Sequence, residues 1–314
     1  MQANHNLPCA WHASLRAEMG AQAIEIETTE AVPEGSWRVT ARVRGGAWAG
    51  LRHLLVCRRR SPLTFDGITL ETERALAAFL RRQDAPVAHP IWYLADERDG
   101  YIAAPGGAAG SHSAGSGGQA PGNAARTLAA VNKFDLQKSA LRRLGLPDAP
   151  PTLQRLSTLV RRLAELGLCY PSLDWALRHL ARLAPALSDL SLCCGTSASA
   201  DFIGSDARLL NLSSAHWGDR HANLGALLAS VDVDDQTRPA ICRDYEAVAG
   251  RTLDPFSLLF WEAYGLIGRI IRHLTAAPWA PDSGTENPLA PFDVVPLEQR
   301  LLSHIDRLTI ARSA

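Results

Sequence analysis

From Leu153 to Leu308 the apolar residues of this sequence recur every three or four positions, and that spacing most restricts how the chain can fold. Leu153, Leu156, Leu159, Leu163 and Leu166 mark one stripe, and Trp175, Leu177, Leu180 and Leu183 a second. Leu258, Phe260, Trp261, Tyr264, Ile270, Ile271 and Leu274 mark a third, strongly apolar one, and Leu301, Leu302, Ile305 and Leu308 a fourth. A period near 3.6 lines one face of a helix, so the stripes predict four amphipathic helices burying these residues in a core. Between the second and third stripes, LSLCCGTSASADFIGSDARLLNLSSAHWGD has two short apolar runs among small and polar residues, and reads as strand, loop, strand.

The first third of the chain has another rhythm. Between Ser36 and Tyr101, WRVTARV, LRHLLVC and PIWYLAD are short apolar or alternating runs, with the helix-patterned ETERALAAFLRRQ among them. That predicts a small unit of strands around one helix. PGGAAGSHSAGSGGQAPGN then carries no charge and seven of the chain's 24 glycines, so it buries too little apolar surface to offset its ordering entropy. At 314 residues the chain exceeds one typical domain. The expected plan is therefore α+β and bilobal: an N-lobe over residues 1–104, preceded by an N-terminal extension, a flexible loop over 105–123, and a mainly helical C-lobe with an embedded hairpin over 124–314. Ligands favour the cleft between two such lobes.

Charge removes some function classes. Lys+Arg and Asp+Glu are both 32, so no net field favours nucleic acid or an anionic membrane surface. Only Lys133 and Lys138 are lysines, a bias that fits a GC-rich bacterial genome. No run approaches the ~20 apolar residues of a membrane span. The first twenty residues lack the unbroken apolar stretch of a signal peptide, so a cytoplasmic location is expected. Cys9, Cys57, Cys169, Cys193, Cys194 and Cys242 show no C-x-x-C spacing, which argues against a zinc site or disulfide framework. The adjacent Cys193 and Cys194 read as small buried apolar side chains.

Several segments share the order and spacing of a known family. CRDYEAVAGRTLDPFSLLFWEAYGLIGRIIRHL (Cys242 to Leu274) resembles the C-terminal helical segment of bacterial aminoglycoside-phosphotransferase-like kinases, in the branch similar to kinase domains fused to acyl-CoA dehydrogenases. TLAAVNKFD (Thr127 to Asp135) resembles their "LAxLHxxD", with Asn132 in place of histidine. AHWGDRHANLGALL (Ala215 to Leu228) resembles "AHxGDPxxDLAxL", and LLVCRRRSP (Leu54 to Pro62) resembles the N-lobe strand "YVLRRxP". The resemblance spans roughly Gly45 to Leu274 and implies a protein-kinase-like fold.

It also implies where chemistry would sit. Phosphoryl transfer relies on positioning, on Mg²⁺ held by an acidic and an amide ligand, and on a carboxylate that orients the hydroxyl nucleophile. The family draws these from "HGDxxxxN" and "hDWE". The first motif aligns on CGTSASAD, placing Cys194 at the histidine, Thr196 at the catalytic aspartate and Asp201 at the metal-binding asparagine. The second aligns on LNLS, placing Asn211 at the metal aspartate and Ser213 at the glutamate. Thr196 is neutral and non-basic at pH 7, and Mg²⁺ prefers anionic oxygens to the amide of Asn211. With no lysine before Lys133, the phosphate-binding strand position falls to Arg58, with Glu73 as its helix partner or as half of an ordinary salt bridge. The glycine-rich turn is RGGAWAG, where Gly45, Gly46 and Gly50 allow close approach and Trp48 is bulky enough to fill nucleotide space.

Other candidates read as structural. Gly218 and Asp219 suit a turn and a cap leading into the next helix. HWGDRHAN mimics HGDxxxxN but fails on spacing, and DYEA belongs to a helix matching "aYExxxGRxxDP". His216 and His221 lack a third ligand at useful spacing, which favours a solvent-facing or hydrogen-bonded pair over metal. Trp175, Trp217, Trp261 and Trp279 suit core or cleft wall better than base stacking.

The function expected is a catalytically degenerate pseudokinase that binds a partner protein, such as an active paralogue or functionally linked enzyme, or a small ligand. No cofactor is then expected. One alternative is an active ATP- and Mg²⁺-dependent phosphotransferase acting on a hydroxyl of a small molecule or acyl thioester, with Asp201 and Asp219 rearranged into the metal and base roles. Another is a cleft lined by Trp48 and Trp217 that takes a small ligand other than a nucleotide.

Overall fold

The structure, a computed structural model, describes residues 16–17, 19–32, 36–46, 49, 52–59, 68–88, 92–95, 100–108, 119–133, 143–147, 152–165, 167, 170–185, 190–194, 202–203, 207–209, 212, 214–231, 236–276 and 294–313. Strands β1 (Ala23–Val32), β2 (Ser36–Arg44), β3 (Arg52–Arg59), β4 (Trp92–Ala95) and β5 (Gly100–Ala108) form an antiparallel sheet in the order β1-β2-β3-β5-β4. β1 lies in what the sequence suggested was an extension, although AIEIETT alternates with the period of a half-buried strand. Glu25 and Glu27 of β1 form ion pairs with Arg44 and Arg42 of β2, at 3.0 and 3.2 Å. Of the residues expected as a loop, 105–108 belong to β5 and 119–123 to a helix, while 109–118 lie outside the described residues.

Helix α1 (Leu70–Arg82) crosses from β3 to β4. The Thr69 hydroxyl accepts from the Thr72 N–H at 3.1 Å, Glu71 and Glu73 sit in the first turn, and Arg81 and Arg82 in the last. Each feature matches the helix dipole and its unpaired terminal groups. Leu76 and Leu80 are fully buried, each contributing about 2 kcal/mol by removal from water. They pack in one cluster with Leu192, Cys194, Leu209, Leu212 and Ala215 of the second half, so α1 is part of a core shared by both lobes. Val87 bridges Leu209 in parallel, with Leu209 N–H to Pro86 O at 2.9 Å and Ala88 N–H to Leu209 O at 2.8 Å.

The second lobe holds α2 (Gln119–Lys133), α3 (Thr152–Glu165), α4 (Pro171–Leu183), α5 (His221–Ser230), α6 (Thr237–Ala249), α7 (Pro255–Ala276) and α8 (Val295–Ser313). α3, α4, α7 and α8 close one core, and α2, α5 and α6 another. Most of the described stripe residues lie in these cores; Leu166 and the Leu159 side chain lie outside the described residues, and Trp175 and Leu302 are exposed. Trp175 is 38% exposed and stacks on His179, because the buried face of α4 is Leu173, Ala176, Leu177, Leu180 and Leu183. At ~100° per residue, position 175 falls on the opposite side from 173. Leu302 is 40% exposed for the same reason, and the buried place beside Leu301, Ile305 and Leu308 goes to His304.

Among its described residues, the segment read as strand, loop, strand holds four short strands: β6 (Leu190–Cys193), β7 (Phe202–Ile203), β8 (Arg208–Leu209) and β9 (His216–Asp219). β6 pairs antiparallel with β9, and β7 with β8. No described helix is long and apolar enough to cross a membrane.

Candidate functional site

The two stretches that would carry chemistry each leave a strand under side-chain control. β6 ends at Cys193, and the next main-chain N–H, that of Cys194, donates to Asn223 Oδ1 of α5 at 2.9 Å. In the second stretch, the Leu212 N–H donates to Glu73 Oε1 of α1 at 3.0 Å, and both residues are buried. Glu73 thus reaches the main chain next to Asn211. Thr196, Asp201, Asn211, Ser213, Trp48 and Gly50 lie outside the described residues, as does the Arg58 side chain, and with it the expected Arg58–Glu73 pair. The Arg58 backbone is in register with Ser36 on one side and Ile102 on the other.

Cys194 sits where the resemblance implies a histidine, and its surroundings are those of a core residue. Burial pushes its thiol up to about 12. Cys193 is raised well above the usual thiol range by burial and then by the neighbouring Cys194 and Asp219, while its Sγ donates to Asp219 O at 3.0 Å. Thiols held protonated are poor nucleophiles. Alkylation of the native protein at pH 8 should leave the peptide carrying both cysteines unmodified, and full labelling should appear in denaturant; labelling before unfolding would contradict their burial.

Gly45 and Gly46 both have left-handed φ, at 76° and 75°. A Cβ on Gly46 would fall 2.5 Å from Gly20 O, and one on Gly45 2.6 Å from the Gln22 side chain. The close approach that requires glycine here is to the chain's own Gly20–Gln22 segment, which also docks through Gln22 N–H to Arg44 O at 2.8 Å.

His221 and Asp219 are committed elsewhere. Asp219 Oδ1 accepts from the His221 N–H at 2.9 Å and from His221 Nδ1 at 2.7 Å, while His221 Nε2 accepts from the Asp254 N–H at 3.1 Å. Nδ1 therefore carries the proton. Burial raises the Asp219 carboxyl, but the two hydrogen bonds from His221 outweigh it and hold the group below the usual carboxylate range. Asp254 in turn caps α7, accepting from the Ser257 N–H at 2.8 Å. His216 Nδ1 lies 2.8 Å from Ser214 O. Among the described residues no cluster of three His, Cys, Asp or Glu could hold a metal ion.

The segment matched to "aYExxxGRxxDP" is built from the same kind of contact. Tyr245 is fully buried and its hydroxyl meets Asn132 of α2 at 2.6 Å. Glu246 Oε1 accepts from the Leu253 N–H at 2.8 Å, and Gly250, left-handed at φ 69°, ends α6. These residues tie α6 to α2 and to the turn that leads into α7.

Against solved structures the fold is unambiguous. Choline kinase LicA from Streptococcus pneumoniae is 13% identical at TM-score 0.63, covering 95% of this chain and 98% of its own. Macrolide 2'-phosphotransferase MphH from Brachybacterium faecium is 16% identical at TM-score 0.53, covering 94% and 96%. An aminoglycoside-3'-phosphotransferase of type VIII is 18% identical at TM-score 0.53, covering 79% and 96%. This chain has the aminoglycoside-phosphotransferase-like kinase fold. No family model matches the sequence, and no curated protein does.

Of Thr196, Asp201 and Asn211, the positions that the resemblance aligns with the catalytic and metal-binding groups, only Asp201 carries a carboxylate. Sequence reasoning paired Glu73 with Arg58, whose side chain lies outside the described residues, and missed both its bond to the Leu212 N–H and the role of Asn223. Its signal was a polar residue inside HANLGALLAS, a helix apolar on nearly every side.

Proposed function

We propose that this chain is a pseudokinase: a protein with the phosphotransferase fold that works by binding a partner protein or small ligand rather than by transferring phosphate. One observation carries the reading. Glu73 and Asn223 hold the main-chain amides of Leu212 and Cys194, one residue after Asn211 and two before Thr196, so the frame is built while neither position offers a carboxylate. A selected phosphate-transfer site would keep those two groups, because transition-state charge is managed there. An active paralogue or a functionally linked enzyme is the natural partner for such a frame.

The phosphotransferases among the structural neighbours favour the active alternative, which would need a second acid beside Asp201. Asp219 is a poor source, since its buried carboxylate is occupied by His221.

Calorimetric titration with ATP, with and without Mg²⁺, separates the readings. We expect no Mg²⁺-dependent binding up to millimolar nucleotide. Binding that requires Mg²⁺, with phosphate release that Asp201→Ala abolishes, would establish the phosphotransferase instead.

A further inference from the structure

Behind Cys194 lies a hydrogen-bonded network with no formal charge. Asn223 Oδ1 accepts from the Cys194 N–H at 2.9 Å, and Asn223 Nδ2 donates to Leu192 O at 3.3 Å and to Asn132 Oδ1 at 2.7 Å. Asn132 Nδ2 then donates to Arg220 O at 3.2 Å and to the Tyr245 hydroxyl at 2.6 Å. The amide orientations are forced. Turning Asn223 over would set its NH₂ against the Cys194 N–H and its oxygen against Leu192 O, and turning Asn132 over would set two acceptors together at Arg220 O. Four elements meet in this network: α2 through Asn132, β6 through Leu192, α5 through Asn223 and α6 through Tyr245.

We infer that Asn132 and Asn223 act as one uncharged relay that sets the main chain at Cys194, so that its position is governed from Tyr245 through two side chains. Asn223 grips both Leu192 and Cys194, on either side of Cys193, and thereby fixes how the chain leaves β6. Asn223 is itself held by Asn132, whose two donated bonds hold its own amide in place. The motifs this sequence resembles carry a histidine at position 132 and an aspartate at 223. Here both positions are amides, neither of which gains or loses a proton. Both are positioning residues, and the relay is independent of whether the cleft takes nucleotide, so the ATP titration neither supports nor weakens it.

Native-state hydrogen exchange on the full chain, read at single residues, tests the relay. Asn132 does not touch Cys194, yet in Asn132→Ala the Cys194 amide should exchange on the order of three to ten times faster, the effect of weakening one buried hydrogen bond. Asn223→Ala should accelerate it further, and the double variant should exchange no faster than Asn223→Ala alone, because one circuit is cut twice. Tyr245→Phe should shift the same amide in the same direction by less. The Trp217 amide on the paired strand, bonded to Pro147 O at 3.2 Å, is the control and should keep its rate. If Cys194 exchanges in Asn132→Ala and Tyr245→Phe as in the wild type, there is no relay and Asn223 acts alone. Equal acceleration at Trp217 would likewise overturn it, since the change would then be general loosening. Asn132→Ala and Tyr245→Phe suffice for this decision even if Asn223→Ala does not fold.

Discussion

Replacing Glu262 with glutamine should cost about 3 kcal/mol of stability at neutral pH and about 1 kcal/mol at pH 3. Glu262 of α7 is 1% exposed. Its Oε2 receives Arg238 of α6, with Nε at 3.2 Å and Nη2 at 2.9 Å; its Oε1 receives Arg300 Nη2 of α8 at 2.9 Å and lies 3.0 Å from His304 Nε2. Arg300 also donates to Leu228 O and Val231 O at the end of α5, where a cation suits the helix dipole. One carboxylate therefore binds four helices.

Burial raises the Glu262 carboxyl, but the close approach of His304, with Arg238 and Arg300, brings it from 4.5 down to about 2. The folded-state value lies below the unfolded one, so its stabilisation is complete above about pH 4.5 and is lost as pH falls towards 2. At about 1.4 kcal/mol per tenfold change in proton affinity, the depression corresponds to about 3 kcal/mol. Breaking a buried ion pair costs about 3–5 kcal/mol, and both arginines are about a quarter exposed, which favours the lower end. Denaturant midpoints of both proteins at pH 7 and pH 3 check this. A difference that does not shrink with acid would mean that the charge of Glu262 contributes nothing, as in a solvent-exposed pair.

The helical half was legible because burial there follows the 3.6-residue period. Leu156, Leu163, Leu180, Ile270 and Leu308 all sit in the cores their spacing implies. Trp175 and Leu302 were misplaced because hydrophobicity alone does not mark the buried face; the helical angle does, and it puts Ala176 and His304 inside instead. The hairpin β7–β8 escaped notice because each strand has two residues, too few for any alternation to register.

At the candidate site the letters fix residue type and no more: threonine and asparagine supply no carboxylate whatever their geometry, and Thr196 and Asn211 lie outside the described residues. What holds the frame was not legible. Asn223 acts on Cys194, 29 residues away, and Glu73 acts on Leu212 across 139 residues, and pairings at such distances leave no trace in local pattern. Glu262 was invisible for a related reason. In SLLFWEAYGLI it looks like the polar edge of an apolar helix, and only folding brings Arg238, Arg300 and His304 around it.

The contact between α5 and α7 implies the other large effect: Gly225→Ala should destabilise the protein by about 3 kcal/mol, against the direction that helix propensity favours. In an exposed helix the same change would gain about 1 kcal/mol. Here a Cβ at position 225 would fall 2.6 Å from Trp261 C, 2.7 Å from Glu262 N and 2.7 Å from Trp261 Cβ. Two of those are main-chain atoms inside α7, so no rotamer change relieves the clash and the helices must separate. Gly265 meets α5 from the other side, where its Cβ would lie 2.8 Å from Ala229 Cβ, so the separation cannot be absorbed by a roll of one helix over the other. Moving α7 also displaces Glu262 from Arg238 and Arg300, and the losses from Gly225→Ala and Glu262→Gln should therefore fall short of additive. Gly250→Ala is the control: it has open space and a left-handed φ of 69°, and should cost about 1 kcal/mol from backbone strain alone. A Gly225→Ala protein as stable as the wild type would mean that α5 and α7 do not touch backbone to backbone, and the packing that carries both the Cys194 relay and the Glu262 cluster would need to be redrawn.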